Sequence, residues 1–143
     1  MKLLAYIDGS SLGNPGDSGY GVILKDRAEK VLREKGQYIG RATNNIAEYQ
    51  GLLGCLDLVK EYNVTSLVVF SDSQLMVRQI NGIYRVKQPH LQALHSQVLE
   101  KIHSEEYDFD IRHIPRQKNE EADRLARQAI NIRSTIDKYG DSP

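Results

Sequence analysis

The sequence predicts a single α/β domain in which three antiparallel strands come first and later strands alternate with helices. The chain has 143 residues, of which 40% are hydrophobic and 27% charged, and this suits one globular domain with a single core. Short apolar segments separated by turn-forming residues fill the first part of the chain. Later apolar segments alternate with stretches of helical periodicity, a pattern typical of strand–helix–strand crossovers.

The first three strands are predicted over residues 3–7, 20–25 and 31–39. Short connections join them, so they should form an antiparallel meander. The loop between Gly9 and Asp17 is rich in turn formers and resembles a phosphate-cradling loop. That resemblance is weak, because the loop lacks the P-loop lysine and does not lead into a helix.

A helix is predicted to begin at Asn45, which together with Glu48 three residues later fits a capping box. Its apolar residues recur every three or four positions as far as Val59. The continuous apolar run over 66–70 then fits a central strand covered on both faces. A right-handed crossover should place this strand parallel to the strand over 3–7.

The remaining predicted elements are a helix over 73–80, a helix from Pro89, an edge strand over 108–114 and a helix capped by Asn119. From about Ser134 onward the chain is polar. We therefore expect one domain over 1–134 and a flexible polar tail over 135–143.

Composition and charge indicate the cellular compartment and the kind of partner to expect. No apolar run approaches membrane-spanning length, and the first residues lack the pattern of a secretion signal. The single cysteine, Cys55, fits a reducing cytoplasm, so we expect a cytoplasmic protein without membrane contact. The net charge is zero, but Arg78 to Lys101 carries a mild basic excess. Such a stretch suits a nucleic-acid backbone, although a solvated helix face is its ordinary explanation.

Four acidic residues lie where the predicted elements should meet. Asp8 ends the first strand, Asp72 follows the strand over 66–70, and Glu48 and Asp123 lie near the starts of two helices. Each has an ordinary explanation: a turn for Asp8, a helix cap for Glu48, and an interaction with the helix dipole for Asp123. If they converge, four carboxylates cannot all be ionised without compensation. Oxygen ligands of this kind favour Mg²⁺ or Mn²⁺, and two such ions commonly direct water at a phosphodiester.

Four segments, spread in this order over nearly the whole chain, resemble type 1 ribonuclease H: YIDGSSLGNPG, TNNIAEYQGLL, VFSDSQL and IPRQKNEEADRLA. The resemblance implies a ribonuclease H-like five-stranded mixed sheet, three antiparallel strands followed by two parallel ones, with helices on both faces. It also implies an endoribonuclease that hydrolyses the RNA strand of RNA–DNA hybrids. Catalysis would use two Mg²⁺ or Mn²⁺ ions and leave 5′-phosphate and 3′-hydroxyl ends. The catalytic and metal-binding residues it implies are Asp8, Glu48, Asp72 and Asp123.

The resemblance places hybrid contacts at Gly9, Ser10, Asn14, Asn44, Asn45 and Gln74. Amide side chains suit this task, because each can both donate to and accept from a ribose 2′-hydroxyl. Two departures from the family pattern matter. The loop before the final helix has no histidine, and Arg116 or Lys118 could instead hold the scissile phosphate. The basic protruding helix of some relatives is absent, which leaves Arg85 and Lys87 as the expected contacts to the DNA strand.

Two alternatives stay open at this point. An integrase- or resolvase-like nuclease can share the fold, but it would not need Asn44, Asn45 and Gln74. A non-catalytic hybrid-binding module is the second alternative, although such a binder gains nothing from four acids that repel phosphates. We expect a monomer that binds an RNA–DNA hybrid and needs no protein partner.

Overall fold

The computed structural model describes residues 1–140, which form six strands and four α-helices. The strands are β1 Lys2–Leu12, β2 Gly16–Lys25, β3 Val31–Ala42, β4 Ser66–Ser71, β5 Asp108–His113 and β6 Thr135–Tyr139. The helices are α1 Asn44–Val59, α2 Gln74–Ile80, α3 Pro89–Ser104 and α4 Glu120–Ile132, and a 3-10 turn covers Arg116–Lys118.

One mixed sheet contains all six strands in the order β5-β4-β1-β2-β3-β6. β1, β2 and β3 pair antiparallel, whereas β4 is parallel to β1 and β5 is parallel to β4. The predicted arrangement of three antiparallel strands followed by two parallel ones is therefore confirmed.

The predicted count of five strands is wrong, because β6 pairs antiparallel with β3 at the edge of the sheet. The prediction of a flexible tail is also wrong over Thr135–Tyr139, while residues 141–143 lie outside the described residues. Asp137 of β6 accepts two hydrogen bonds, at 2.6 and 2.9 Å, from the buried guanidinium of Arg33, and Tyr139 lies against the same group. A polar segment can thus be held in place by charge-assisted hydrogen bonds rather than by apolar burial.

Helices cover both faces of the sheet, as predicted. α1 and α3 cover the larger core, which contains Leu3, Ala5 and Ile7 of β1. α4 covers the opposite face, where its Ala122 and Leu125 pack with Ile23 of β2. Alternation along each strand sends neighbouring residues to opposite faces and so supplies both cores.

The start of α1 differs from the prediction. The N-cap is Thr43, whose hydroxyl accepts a hydrogen bond from the Ile46 backbone N–H, and not Asn45. With Thr43 as the N-cap, Glu48 is not the third residue of the helix, and the predicted capping box does not form. Among residues 1–140, no helix has the length and apolarity needed to cross a membrane.

Candidate active site

Asp8 and Asp72 meet where two neighbouring parallel strands separate. Ile7 and Ser71 form the last pair between β1 and β4, and each aspartate lies just beyond that point. The carboxyl ends of adjacent parallel strands form the usual crevice for ligands in α/β sheets. Asp8 is buried, with 5% of its surface exposed, and Asp72 is half-buried.

α1 brings Glu48 to the same crevice by packing directly on β1. A Cβ atom at Gly9 would lie 2.4 Å from the backbone of Ala47 and of Glu48, so the close approach of helix and strand requires glycine. One oxygen from each of Asp8, Glu48 and Asp72 lies within 4.8 Å of the others. Oε2 of Glu48 is buried and has no hydrogen-bond partner within residues 1–140.

Burial and crowding raise the pKa values of this cluster. Desolvation, followed by the charges of Glu48 and Asp72, raises the pKa of Asp8 to about 10. Desolvation and the charge of Asp72 raise the pKa of Glu48 to about 8, against lowering by a hydrogen bond from the Gly9 backbone N–H and by the charge of Arg116. At neutral pH the metal-free cluster therefore holds protons that carboxyl groups ordinarily release.

Asp123 lies next to Asp8 without joining the three-membered cluster. A side-chain hydrogen bond between the two acids contributes to the raised pKa of Asp8. Asp123 also pairs with Arg127 one helical turn later, at 3.1 Å. The structure thus brings together three of the four predicted acids and places the fourth at their side.

The cluster fits a divalent cation. It offers only carboxylate oxygens, which are the ligands that Mg²⁺, Mn²⁺ and Ca²⁺ prefer. A bound cation would satisfy the free oxygen of Glu48 and relieve the mutual repulsion of the three acids. The cluster therefore indicates that the protein uses a divalent metal ion.

The predicted hybrid contacts lie on β1, α1, α2 and the turn between β1 and β2. Gly9 and Ser10 belong to β1, which continues to Leu12, and not to a loop as predicted. Asn14 is exposed, and its side-chain oxygen accepts a hydrogen bond from the Asn44 backbone N–H at 3.1 Å. Gln74 is exposed at the first residue of α2, two residues after Asp72. Ser10 and Asn44 thus lie on the elements that carry Asp8 and Glu48, and Gln74 begins the helix that follows Asp72.

The four predicted basic contacts do not form one patch, but lie in three different surroundings. Arg85 and Lys87 are exposed and line a cavity of about 460 Å³ together with Asn45. Arg116 lies close enough to lower the pKa of Glu48. Lys118 instead lines a smaller cavity of about 200 Å³ beside Tyr6 and Lys25.

Sequence reasoning missed two features of this region. Leu75, Ile83 and Tyr84 line the larger cavity with 42%, 67% and 44% of their surfaces exposed. No local pattern distinguishes such exposed apolar residues from core residues. Asn119 was predicted only as a helix cap, yet its side chain donates to the Ile7 carbonyl of β1 at 2.7 Å. No sequence signal could have revealed a partner that lies 112 residues away.

Comparisons with known proteins agree with this architecture. A family model described as reverse transcriptase-like matches residues 6–129. A bifunctional protein of Mycobacterium tuberculosis is 41% identical over 132 residues, which cover 92% of this chain and 36% of that protein. Ribonuclease HI of Halobacterium salinarum is 36% identical over 130 residues, which cover 91% of this chain and 65% of that enzyme. The chain therefore spans about a third of the mycobacterial relative and about two thirds of the archaeal one.

Among solved structures, LC11-RNase H1 in complex with an RNA/DNA hybrid superposes with a TM-score of 0.87 at 36% identity. The match covers 92% of this chain and 98% of that one. At this identity and coverage the likeness extends to the whole architecture and not to isolated strands.

Proposed function

The chain belongs to the type 1 ribonuclease H family, and from this we propose that it hydrolyses the RNA strand of RNA–DNA hybrids. The proposed products carry 5′-phosphate and 3′-hydroxyl ends. The observation that carries the proposal is the cluster of Asp8, Glu48 and Asp72, one oxygen of each lying within 4.8 Å of the others where β1 and β4 separate. The named homologues and the solved hybrid complex support it.

We assign Asp8, Glu48, Asp72 and Asp123 to the binding of two Mg²⁺ or Mn²⁺ ions. When bound, such ions activate a water molecule and stabilise the charge that develops on the leaving oxygen. The protein contributes a rigid frame, because Asp8 lies within β1, which pairs with β2 and β4, and the Gly9 contact fixes α1 against it. It also contributes a crevice where carboxylates are partly removed from water and therefore attract cations strongly.

Substrate selection is proposed to rest on amide groups around the crevice. Asn14, Asn44 and Gln74 are exposed and can both donate to and accept from the 2′-hydroxyl groups that distinguish RNA from DNA. Gly9 and Ser10 would contribute backbone and hydroxyl contacts beside them. Asn45, Arg85 and Lys87 line one groove, which we assign to the DNA strand. Cationic side chains there would contact phosphates without reading sequence.

The absent loop histidine requires another group near the scissile phosphate. Arg116 follows β5, and its positive charge lowers the pKa of Glu48. We propose that Arg116 holds the phosphate beside Glu48. Lys118 is a weaker candidate for this role, since it lines the small cavity beside Tyr6.

A cleavage assay tests the proposed function. Labelled RNA–DNA hybrid, duplex DNA and duplex RNA of one sequence are incubated with the protein in Mg²⁺, in Mn²⁺ and in EDTA. We expect cleavage of the RNA strand of the hybrid alone, only with metal, and loss of at least 100-fold in turnover for Asp72→Asn. Cleavage of duplex DNA would favour the integrase- or resolvase-like alternative. Tight hybrid binding without cleavage in either metal would favour the non-catalytic module.

We further propose that a single copy is sufficient for activity. All four acids and the amide contacts come from one chain. Light scattering of the active protein at assay concentration tests this, and a dimer as the active species would contradict it. A separate proposal concerns the compartment: the unpaired, buried Cys55 suits a reducing cytoplasm.

A further inference from the structure

Asn119 is a buried polar residue whose side chain makes a contact that its position in the chain does not explain. It immediately precedes α4, where a helix cap is expected, and 1% of its surface is exposed. Within the described part of the chain its side chain makes no capping hydrogen bond to α4. A helix-capping role therefore does not account for it.

The side chain of Asn119 closes the gap where β1 and β4 separate. Nδ2 donates to the Ile7 carbonyl at 2.7 Å, and Ile7 belongs to the last residue pair of the β1–β4 ladder. Beyond this pair the two strands diverge toward Asp8 and Asp72, so an inserted donor takes the place of strand pairing. Leaving a buried carbonyl without a partner destabilises the folded state, so this contact constrains the position of Asn119.

The same residue is linked to both flanking acids. Its backbone carbonyl accepts a hydrogen bond from the Asp123 backbone N–H at 3.2 Å. Its Nδ2 also lies 3.5 Å from Oδ2 of Asp72, a long contact that still orients a donor toward that carboxylate. Asn119 thus connects α4, which carries Asp123, to the point where β1 and β4 separate, next to Asp8 and Asp72.

We propose that Asn119 is a positioning residue for the metal-binding carboxylates. It holds the first turn of α4 against β1 at Ile7, sets the distance of Asp123 from Asp8, and restrains the Asp72 carboxylate. This proposal rests on the proposed function only in taking the acids as metal ligands. Groups that orient metal ligands typically contribute 10- to 100-fold to metal affinity or activity.

The test compares Asn119→Ala with a matched control, Asn81→Ala. Asn81 likewise donates from its side-chain amide to a strand carbonyl, that of Ile111 at 3.3 Å, but it is exposed, follows α2 and makes no hydrogen bond to the acids among the described residues. Mn²⁺ affinity is measured by calorimetry without substrate, alongside kcat, KM and Tm. We expect Asn119→Ala to weaken Mn²⁺ binding at least tenfold and to lower kcat at least tenfold with KM within about twofold. Asn81→Ala should leave Mn²⁺ affinity and kcat unchanged.

A double-mutant cycle tests the assigned route through Asp123. If Asn119 acts by placing Asp123, then Asn119→Ala should reduce Mn²⁺ affinity much less in an Asp123→Asn background than in the wild type. Fully additive losses would contradict that route. If Asn119→Ala does not fold, Asn119→Ser replaces it in all measurements, because a hydroxyl preserves some polarity at the buried site.

A lower Tm with unchanged Mn²⁺ affinity and kcat would overturn the proposal, since the residue would then only support the fold. Failure of the proposed function is separate. A wild type that binds Mn²⁺ but does not cleave hybrid would remove the cleavage proposal, while the affinity comparison would still decide the role of Asn119.

Discussion

Asp8→Asn is expected to make the metal-free protein more stable at neutral pH, although it removes a proposed metal ligand. Desolvation, Glu48 and Asp72 raise the pKa of Asp8 from 3.8 to about 10. A carboxyl group with a raised folded-state pKa opposes folding once its unfolded form ionises. Stability is therefore lost as the pH climbs from about 4 toward the folded-state value.

The magnitude follows from the pKa shift. Between pH 3.8 and pH 7 the loss amounts to about 4 kcal/mol, at roughly 1.4 kcal/mol per pH unit. Asparagine has the shape of the protonated carboxyl group and can donate in its place, so most contacts of the folded state remain. We expect a gain of about 2–4 kcal/mol, which corresponds to a rise in Tm of roughly 6–15 °C for a domain of this size.

The assay is thermal unfolding of metal-free protein from pH 4 to pH 8, for the wild type, Asp8→Asn and the control Glu106→Gln. Glu106 is an exposed acid between α3 and β5, so its neutralisation should change Tm little. The gap between Asp8→Asn and the wild type should vanish near pH 4 and widen toward pH 8. Millimolar Mg²⁺ should then stabilise the wild type more than the variant, because binding to the folded state shifts the equilibrium by mass action.

A variant that melts at or below the wild type at pH 7, with no pH-dependent gap, would refute this reasoning. Asp8 would then not be held beside other carboxylates in solution. Equal stabilisation of both proteins by Mg²⁺ would place the cation elsewhere.

Three further predictions follow from other contacts. Gln74→Ala should raise KM for hybrid more than it lowers kcat in steady-state kinetics, because an exposed contact contributes binding alike to ground and transition states; an unchanged KM would show that Gln74 does not contact the hybrid. Gly9→Ala should cost about 3 kcal/mol or more in urea unfolding, since its Cβ would lie 2.4 Å from the backbone of Ala47. Asp137→Asn should cost about 2 kcal/mol by the same method, because it breaks a two-fold hydrogen bond with the buried Arg33. Arg33 lowers the pKa of Asp137, so this difference should persist at neutral pH and shrink as the pH falls below about 4.

Much of the site could be predicted because its signals are local. Short apolar runs precede both Asp8 and Asp72 and place each acid just beyond the last β1–β4 pair. The predicted strand end at Asp8 is wrong, because β1 continues to Leu12 through its pairing with β2. The stripe of α4 likewise fixes which of its sides faces the sheet, and with it the side on which Asp123 emerges. The right-handed crossover then makes the strands over Lys2–Leu12 and Ser66–Ser71 neighbours.

The local sequence does not predict which residue caps a helix when more than one residue or partner is suitable. Thr43 and Asn45 are both suitable helix caps, and in the structure Thr43 is the N-cap. Asn119 has the right type and place for a cap, yet a free carbonyl at Ile7 takes its side chain instead. In each case the deciding group is fixed by the fold and not by the neighbouring sequence.

The sequence by itself predicted the antiparallel β1–β3 meander, the parallel pairing of β4 with β1, the four helices, and the acids that meet beside Ile7 and Ser71. Only the tertiary structure decided that Thr135–Tyr139 form a sixth strand, that Asp123 lies beside the cluster paired with Arg127, and that Asn119 joins α4 to β1. The physical reason is how far apart in the chain the interacting groups are. Apolar periodicity is repeated along each element and can be read within it, whereas a hydrogen bond such as that from Arg33 to Asp137 needs two groups 104 residues apart to meet.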